Sequence, residues 1–110
     1  MANQDKEDLR KYKRFPFIED ILIDGMTPCI STDISEGGLY VSAIQHFKEN
    51  DVLDITIPFK EEKITFKGQV QYYQGGIGIG IKFINLNDEQ KAIIKGIIES
   101  IVKKSAQHKV

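Results

Sequence analysis

From Leu53 to Phe83 apolar and polar residues alternate so regularly that the chain admits little besides antiparallel strands. Leu53, Ile55, Ile57 and Phe59 are interleaved with Asp54, Thr56 and Pro58, the period of a strand with one face in a core and the other in water. After the charged connection Lys60-Glu61-Glu62-Lys63, the residues Ile64, Phe66, Val70 and Tyr72 share one parity. Thr65, Lys67, Gln69 and Gln71 take the other. Gln74-Gly75-Gly76 reverses the chain, and Ile77, Ile79, Ile81 and Phe83 then alternate with Gly78, Gly80 and Lys82. Gly78 and Gly80 fall on one face, where they leave room for the close approach of a neighbouring element or a ligand.

Three further strands precede this region. Ile18, Ile21, Leu22 and Ile23 give a first strand within 17–24, closed by the turn pair Asp24-Gly25. Thr27 to Asp33 is a second, with Pro28 marking an edge or a bulge near its start. Leu39 to Ile44 is a short third. Six short strands at close spacing predict an all-β antiparallel barrel or sandwich.

The last segment changes period. Asn87 is a helix cap with Gln90 as its capping-box partner. Ile93, Ile94, Ile97, Ile98, Ile101 and Val102 fall on one stripe of a helix four to five turns long. Lys103 and Lys104 suit its C-terminal dipole. Gly96 costs the helix about 1 kcal/mol relative to Ala and is expected where helix and barrel meet closely. A stripe used to cover the chain's own core predicts a monomer. Residues 1–16 read as a flexible arm, 17–104 as the folded unit and 105–110 as a frayed tail.

Composition narrows the function. At 110 residues the chain is one domain. The net charge of −1 supplies no broad basic field for duplex nucleic acid. No run reaches the length of a membrane span and the N-terminus has no apolar signal region, so a cytoplasmic protein without membrane insertion is expected. The single Cys29 lies in an apolar run and reads as a buried, inert thiol. His46 and His108 are far apart, and no metal-ligand spacing, phosphate-cradling loop or acid–base pair is present. The expectation is a protein that is not an enzyme, with no cofactor and no metal.

Two polar stretches remain. In Thr32-Asp33-Ile34-Ser35-Glu36-Gly37-Gly38-Leu39, a strand ends in a polar turn and another begins at once. Asp33 and Ser35, two residues apart, are read as pointing to the same side. Gly37 and Gly38 permit positive φ and leave backbone N–H groups uncovered. The other stretch is Arg10-Lys11-Tyr12-Lys13-Arg14, four of whose five residues are cationic.

An R-x-x-x-R made by Arg10 and Arg14, followed about twenty residues on by the D-x-S-x-x-G of Asp33, Ser35 and Gly38, resembles the PilZ domain, a bacterial receptor module for cyclic di-GMP. Gly80-Ile81-Lys82-Phe83 is similar to the strand ending often seen in that family. The resemblance covers nearly the whole chain. It implies a six-stranded antiparallel split β-barrel capped by the C-terminal amphipathic helix. It further implies a receptor or adaptor that binds cyclic di-GMP, changes conformation and signals to a downstream protein in motility, exopolysaccharide or biofilm control.

The ligand's chemistry agrees with the residues present. Phosphodiesters and the O6/N7 edge of guanine suit Arg10 and Arg14, by charge, bidentate bonding and stacking. The guanine N1–H and N2–H₂ donors match the two oxygens of Asp33. Ser35 adds a hydrogen bond and Gly38 keeps space, with Lys11, Gly37, Gly80 and Lys82 as additional candidates. Many similar sequences carry a third arginine where this chain has Leu9, and that arginine helps hold a second ligand; its absence implies one ligand per chain. The alternatives are a nucleotide-independent adaptor of the same family, or a small barrel that binds single-stranded RNA with Tyr12, Tyr72 and Tyr73 as stacking platforms.

Overall fold

The chain folds into a closed six-stranded antiparallel barrel with one C-terminal helix. The computed structural model describes residues 12–43 and 45–107. Its strands are β1 (Phe15–Pro16), β2 (Asp20–Ile23), β3 (Thr27–Ile34), β4 (Gly38–Ser42), β5 (Val52–Phe59), β6 (Glu62–Gln74) and β7 (Gly78–Ile84). They are followed by the helix α1 (Asp88–Gln107). The order β3-β2-β5-β6-β7-β4 forms the wall, and pairing of β3 with β4 closes it. The expected third strand ends at Ser42, and Ile44 lies outside the described residues.

The short β1 lies beside β3 beyond the end of β2. Asp20 to Ile23 pair with Ile30 to Thr27, whereas Phe15 and Pro16 pair with Ile34 and Asp33. Ser31 stands where β3 changes partner. Its buried hydroxyl donates to the Phe17 carbonyl at 2.6 Å and accepts from the Glu19 amide at 3.1 Å. This side chain satisfies backbone groups that the interrupted ladder leaves over, and Ile18 is turned outward, 74% exposed. The strand expected over 17–24 therefore begins only at Asp20. Phe15 and Pro16, read above as the end of a flexible arm, are part of the sheet. The extended conformation that Pro16 imposes on Phe15 suits that pairing.

Pro28 sits where β3 has only β2 beside it, because pairing with β4 begins at Ile30. The turn at Asp24-Gly25 has both φ angles positive, 53° and 69°, with the Met26 amide donating to the Ile23 carbonyl at 3.0 Å. This is the reversal whose twist matches that of the flanking strands.

Inward residues of all six wall strands make one core. Ile23, Ile34, Leu39, Val41, Ile55, Ile57, Phe66, Val70, Ile79 and Ile81 are each less than 2% exposed. Each such side chain contributes about 1.5–3 kcal/mol by burial. The alternation fails at one point in β6. The register against β7 slips between Val70 and Tyr72, so Val70 and Gln71 both turn inward and Tyr72 turns out. A bulge adds one residue to one strand and reverses the parity beyond it. Tyr72 therefore leaves the face that Ile64, Phe66 and Val70 define.

The capping box of α1 is formed in both directions. The Gln90 amide donates to Asn87 Oδ1 at 2.8 Å, and the Asn87 amide donates to Gln90 Oε1 at 3.0 Å. Gln90 Nε2 also donates to the Thr65 carbonyl at 3.2 Å, which fastens the first turn to β6. Ile94, Ile97 and Ile98 are buried, Ile93 and Ile101 partly so, and Val102 is exposed, a narrower stripe than its sequence suggests. The helix runs through Gln107, into the stretch expected to fray; residues 108–110 lie outside the described residues. A Cβ on Gly96 would meet the Phe59 ring at 3.8 Å, an ordinary contact, so crowding does not demand glycine there. Among the described residues no helix is long and apolar enough to cross a membrane.

Candidate functional site

The strand β1 carries Arg14 to the polar turn. Because Pro16 is paired with Asp33, Arg14 stands two residues upstream beside the Asp33 side chain. Its Nη1 donates to Asp33 Oδ1 at 2.7 Å, with the two side chains 34% and 31% exposed. Residues nineteen apart in sequence thus meet on the outer wall. Lys13 places its ammonium 5.6 Å from the centre of the Phe15 ring. Arg10, Lys11 and Leu9 lie outside the described residues.

Asp33 faces outward because β3 bulges between Ser31 and Asp33, leaving Thr32 and Asp33 both half-exposed. Ser35 does not share that side. It is 1% exposed, and its Oγ accepts from the amides of Gly37 at 3.2 Å and Gly38 at 3.1 Å. The chain is no longer extended beyond Ile34, so the two-residue rule that grouped Ser35 with Asp33 does not apply. The two glycine amides are consequently occupied. Among the described residues the positive-φ glycines are Gly25 and Gly76, so neither Gly37 nor Gly38 uses that freedom.

At Gly37 the absent side chain leaves room for a ring. A Cβ there would lie 2.6 Å from the Tyr12 ring. Tyr12 also lines an open cleft of about 300 Å³ together with Glu36, Leu86, Lys91, Ile94 and Lys95. One aromatic ring thus touches both the polar turn and the groove beside α1. The turn is tied to the barrel's end as well, since the Phe83 amide donates to the Gly37 carbonyl at 2.9 Å.

Cross-strand pairing extends the site sideways. Asp33 is opposite Tyr40, Tyr40 opposite Gly80, and Gly80 opposite Tyr72. Lys82 is half-buried on the outer side, paired with Gly38 and Gln69 in the next row. Gly80 lies under a ring: a Cβ on it would fall 2.4 Å from Tyr72. Burial, then Tyr72, then the Asp33 carboxylate hold the Tyr40 phenol above its ordinary pKa. Tyr40 escaped sequence reasoning because an outward tyrosine on a strand carries no signal of its own; Tyr72 enters there only as a stacking residue of the RNA-binding alternative, and the bulge reversed the parity read for it.

Elsewhere little chemistry is assembled. Cys29 is buried, and burial pushes its thiol pKa up. His46 makes an edge contact with the Tyr73 ring at 4.8 Å. Among the described residues no three His, Cys, Asp or Glu side chains cluster as metal ligands.

The molecule is a small capped barrel that holds an arginine from its N-terminal segment against a β3 aspartate on the outer wall. The PilZ domain profile matches residues 8–100, and the chain belongs to that family. Solved structures share the fold. The PilZ domain of YcgR from Escherichia coli, determined with c-di-GMP, aligns at 17% identity and a TM-score of 0.73 over 92% of this chain and 98% of that one. The PilZ domain of CeSA from a cellulose-synthesizing bacterium aligns at 18% identity and 0.63, covering 84% and 98%. The Bacillus subtilis inhibitor of motility MotI/DgrA aligns at 19% identity and 0.69 over 86% of this chain. That alignment covers 52% of MotI/DgrA, so the present chain spans about half its length. No curated protein matches the sequence.

Proposed function

We propose that this chain is a cyclic di-GMP receptor that passes the bound state to a partner protein. The observation that carries the reading is the contact of Arg14 with Asp33, which brings one member of each motif to a single spot. A partly exposed ion pair is worth only about 0–1 kcal/mol. Ligand can therefore replace it at little cost, while the pair holds both groups near their working positions. Arg14 then turns to a phosphodiester or to guanine O6 and N7, and Asp33 accepts from N1–H and N2–H₂. Ser35 acts indirectly, by fixing the turn that follows Asp33.

The coupling to a partner runs through Tyr12. It precedes Arg14 by two residues, covers Gly37 and lines the groove beside α1. Movement of the arm around ligand displaces that ring and reshapes the groove; the related YcgR domain was determined with c-di-GMP. Calorimetric titration with cyclic di-GMP, run beside a single-stranded oligonucleotide, tests the reading. Saturable binding of the dinucleotide with a midpoint at one per chain, as Leu9 implies, is expected. Heat with the oligonucleotide alone would sink the receptor assignment in favour of RNA binding, and no heat with either would favour an adaptor that works without nucleotide.

A further inference from the structure

Two tyrosine rings lie on the glycine backbone of β7, along the row of strands that runs on from the Arg14–Asp33 pair. Tyr72 covers Gly80, and Tyr40 covers Gly78, where a Cβ would fall 2.8 Å from its ring. Both tyrosines are half-buried, so each ring keeps surface in solvent although part of it rests on the wall. The rings are 6.1 Å apart between centres and inclined by 36°. The Tyr40 hydroxyl is hydrogen-bonded to Gln74 Oε1, which fixes that ring at its far end. Tyr40 is the direct cross-strand neighbour of Asp33.

We propose that Tyr40 and Tyr72 form a stacking platform for a purine base of the ligand: Tyr40 stands on the strand next to Asp33, Tyr72 three strands from it, and the two rings meet over β7 between them. The proposal rests on the cyclic dinucleotide reading above and extends its site. Neighbouring strands are about 4.8 Å apart, so β7, on which both rings rest, lies roughly 10 Å to the side of β3. Asp33 then reads the edge of one guanine while the tyrosines carry the face of another. A pre-positioned ring loses little freedom when a base stacks on it, and the glycines beneath let the rings lie close to the wall. The bulge in β6 is what delivers Tyr72 to this surface instead of to the core.

The sequence contains no tryptophan and four tyrosines, so ring-labelled tyrosine gives a simple NMR spectrum. The experiment titrates the full chain with cyclic di-GMP while following those signals, and measures affinity for wild type, Tyr72→Leu and Tyr72→Phe. Stacking moves the Tyr40 and Tyr72 ring signals and makes Tyr72→Leu bind roughly five- to hundredfold more weakly. Tyr72→Phe, which keeps the aromatic face, restores most of that loss. Rings that merely shield two glycines would change thermal stability in Tyr72→Leu, with affinity unchanged and no ligand-induced ring shifts; that result overturns the platform. Wild-type binding with unmoved ring signals overturns it too, without recourse to any variant. If wild type binds no cyclic di-GMP, the receptor reading itself fails and takes the platform with it.

Discussion

The two turns that flank β3 use the same residue types for opposite purposes. At Asp24-Gly25 the backbone itself needs glycine: Gly25 has φ of 69° and nothing within 4 Å of where a Cβ would stand. At Ser35-Glu36-Gly37 the backbone makes no such demand, and glycine leaves the space that the Tyr12 ring occupies. In the first turn Asp24 is consumed by the fold, its Oδ1 accepting from the Asp54 amide at 2.8 Å. In the second, Ser35 performs that structural task and releases Asp33 to face Arg14. One turn shapes the barrel. The other presents chemistry on it.

The contrast is broken most severely at Arg14. Arg14→Ala removes a charge-assisted contact worth about 1.5–3 kcal/mol to the ligand, so cyclic di-GMP should bind roughly ten- to a hundredfold more weakly. The melting temperature should hardly move, because the pair to Asp33 is a surface one. Calorimetry and a thermal melt of the same sample check both halves. A large fall in melting temperature would mean that the second turn is structural after all.

Gly25→Ala is the complementary change. A left-handed φ costs an L-residue roughly 1–2 kcal/mol, which for a domain of this size lowers the melting temperature by about 5 °C or more. Ligand affinity should stay at the wild-type value, as measured by calorimetry. Gly37→Ala should do the reverse on a smaller scale. Its methyl displaces the Tyr12 ring, which can swing away at little cost to stability, and affinity should fall roughly threefold to tenfold. Hydrogen exchange of the amides from Tyr12 to Phe17 should rise in that variant. Unchanged exchange and affinity would separate Tyr12 from the binding site.

The smallest effect is electrostatic. The Tyr40 phenol has a folded pKa above 10.0, owing first to burial and then to Tyr72 and Asp33. Its contribution to stability is therefore complete below about pH 10 and is lost as pH rises through the raised folded value. Asp33→Asn removes one cause and should lower the Tyr40 pKa without returning it to the ordinary value, because burial is the larger cause. Ultraviolet titration of tyrosinate, with Tyr40→Phe to identify the signal, measures it. No change on Asp33→Asn would place the carboxylate too far away for the row to act as one site.

Much of this molecule follows from the sequence alone, wherever the determining physics is local. The period-two pattern from Leu53 to Phe59, the Asp24-Gly25 reversal and the Asn87–Gln90 capping box each depend on residues a few positions apart, and each is formed as read. The two motifs also singled out Arg14 and Asp33, which the fold brings into contact. Decisions that depend on register across strands belonged to the tertiary structure. A single extra residue at Gln71 reversed the side on which Tyr72 stands, and a buried Ser31 hydroxyl bridged the gap between β1 and β2. Ser35 turned inward for the same reason: its partners are backbone amides whose direction is set by closure of β3 onto β4. A bulge costs little locally and is repaid by packing throughout the barrel, so its position is written in the fit of the whole wall and not in any short stretch of the chain.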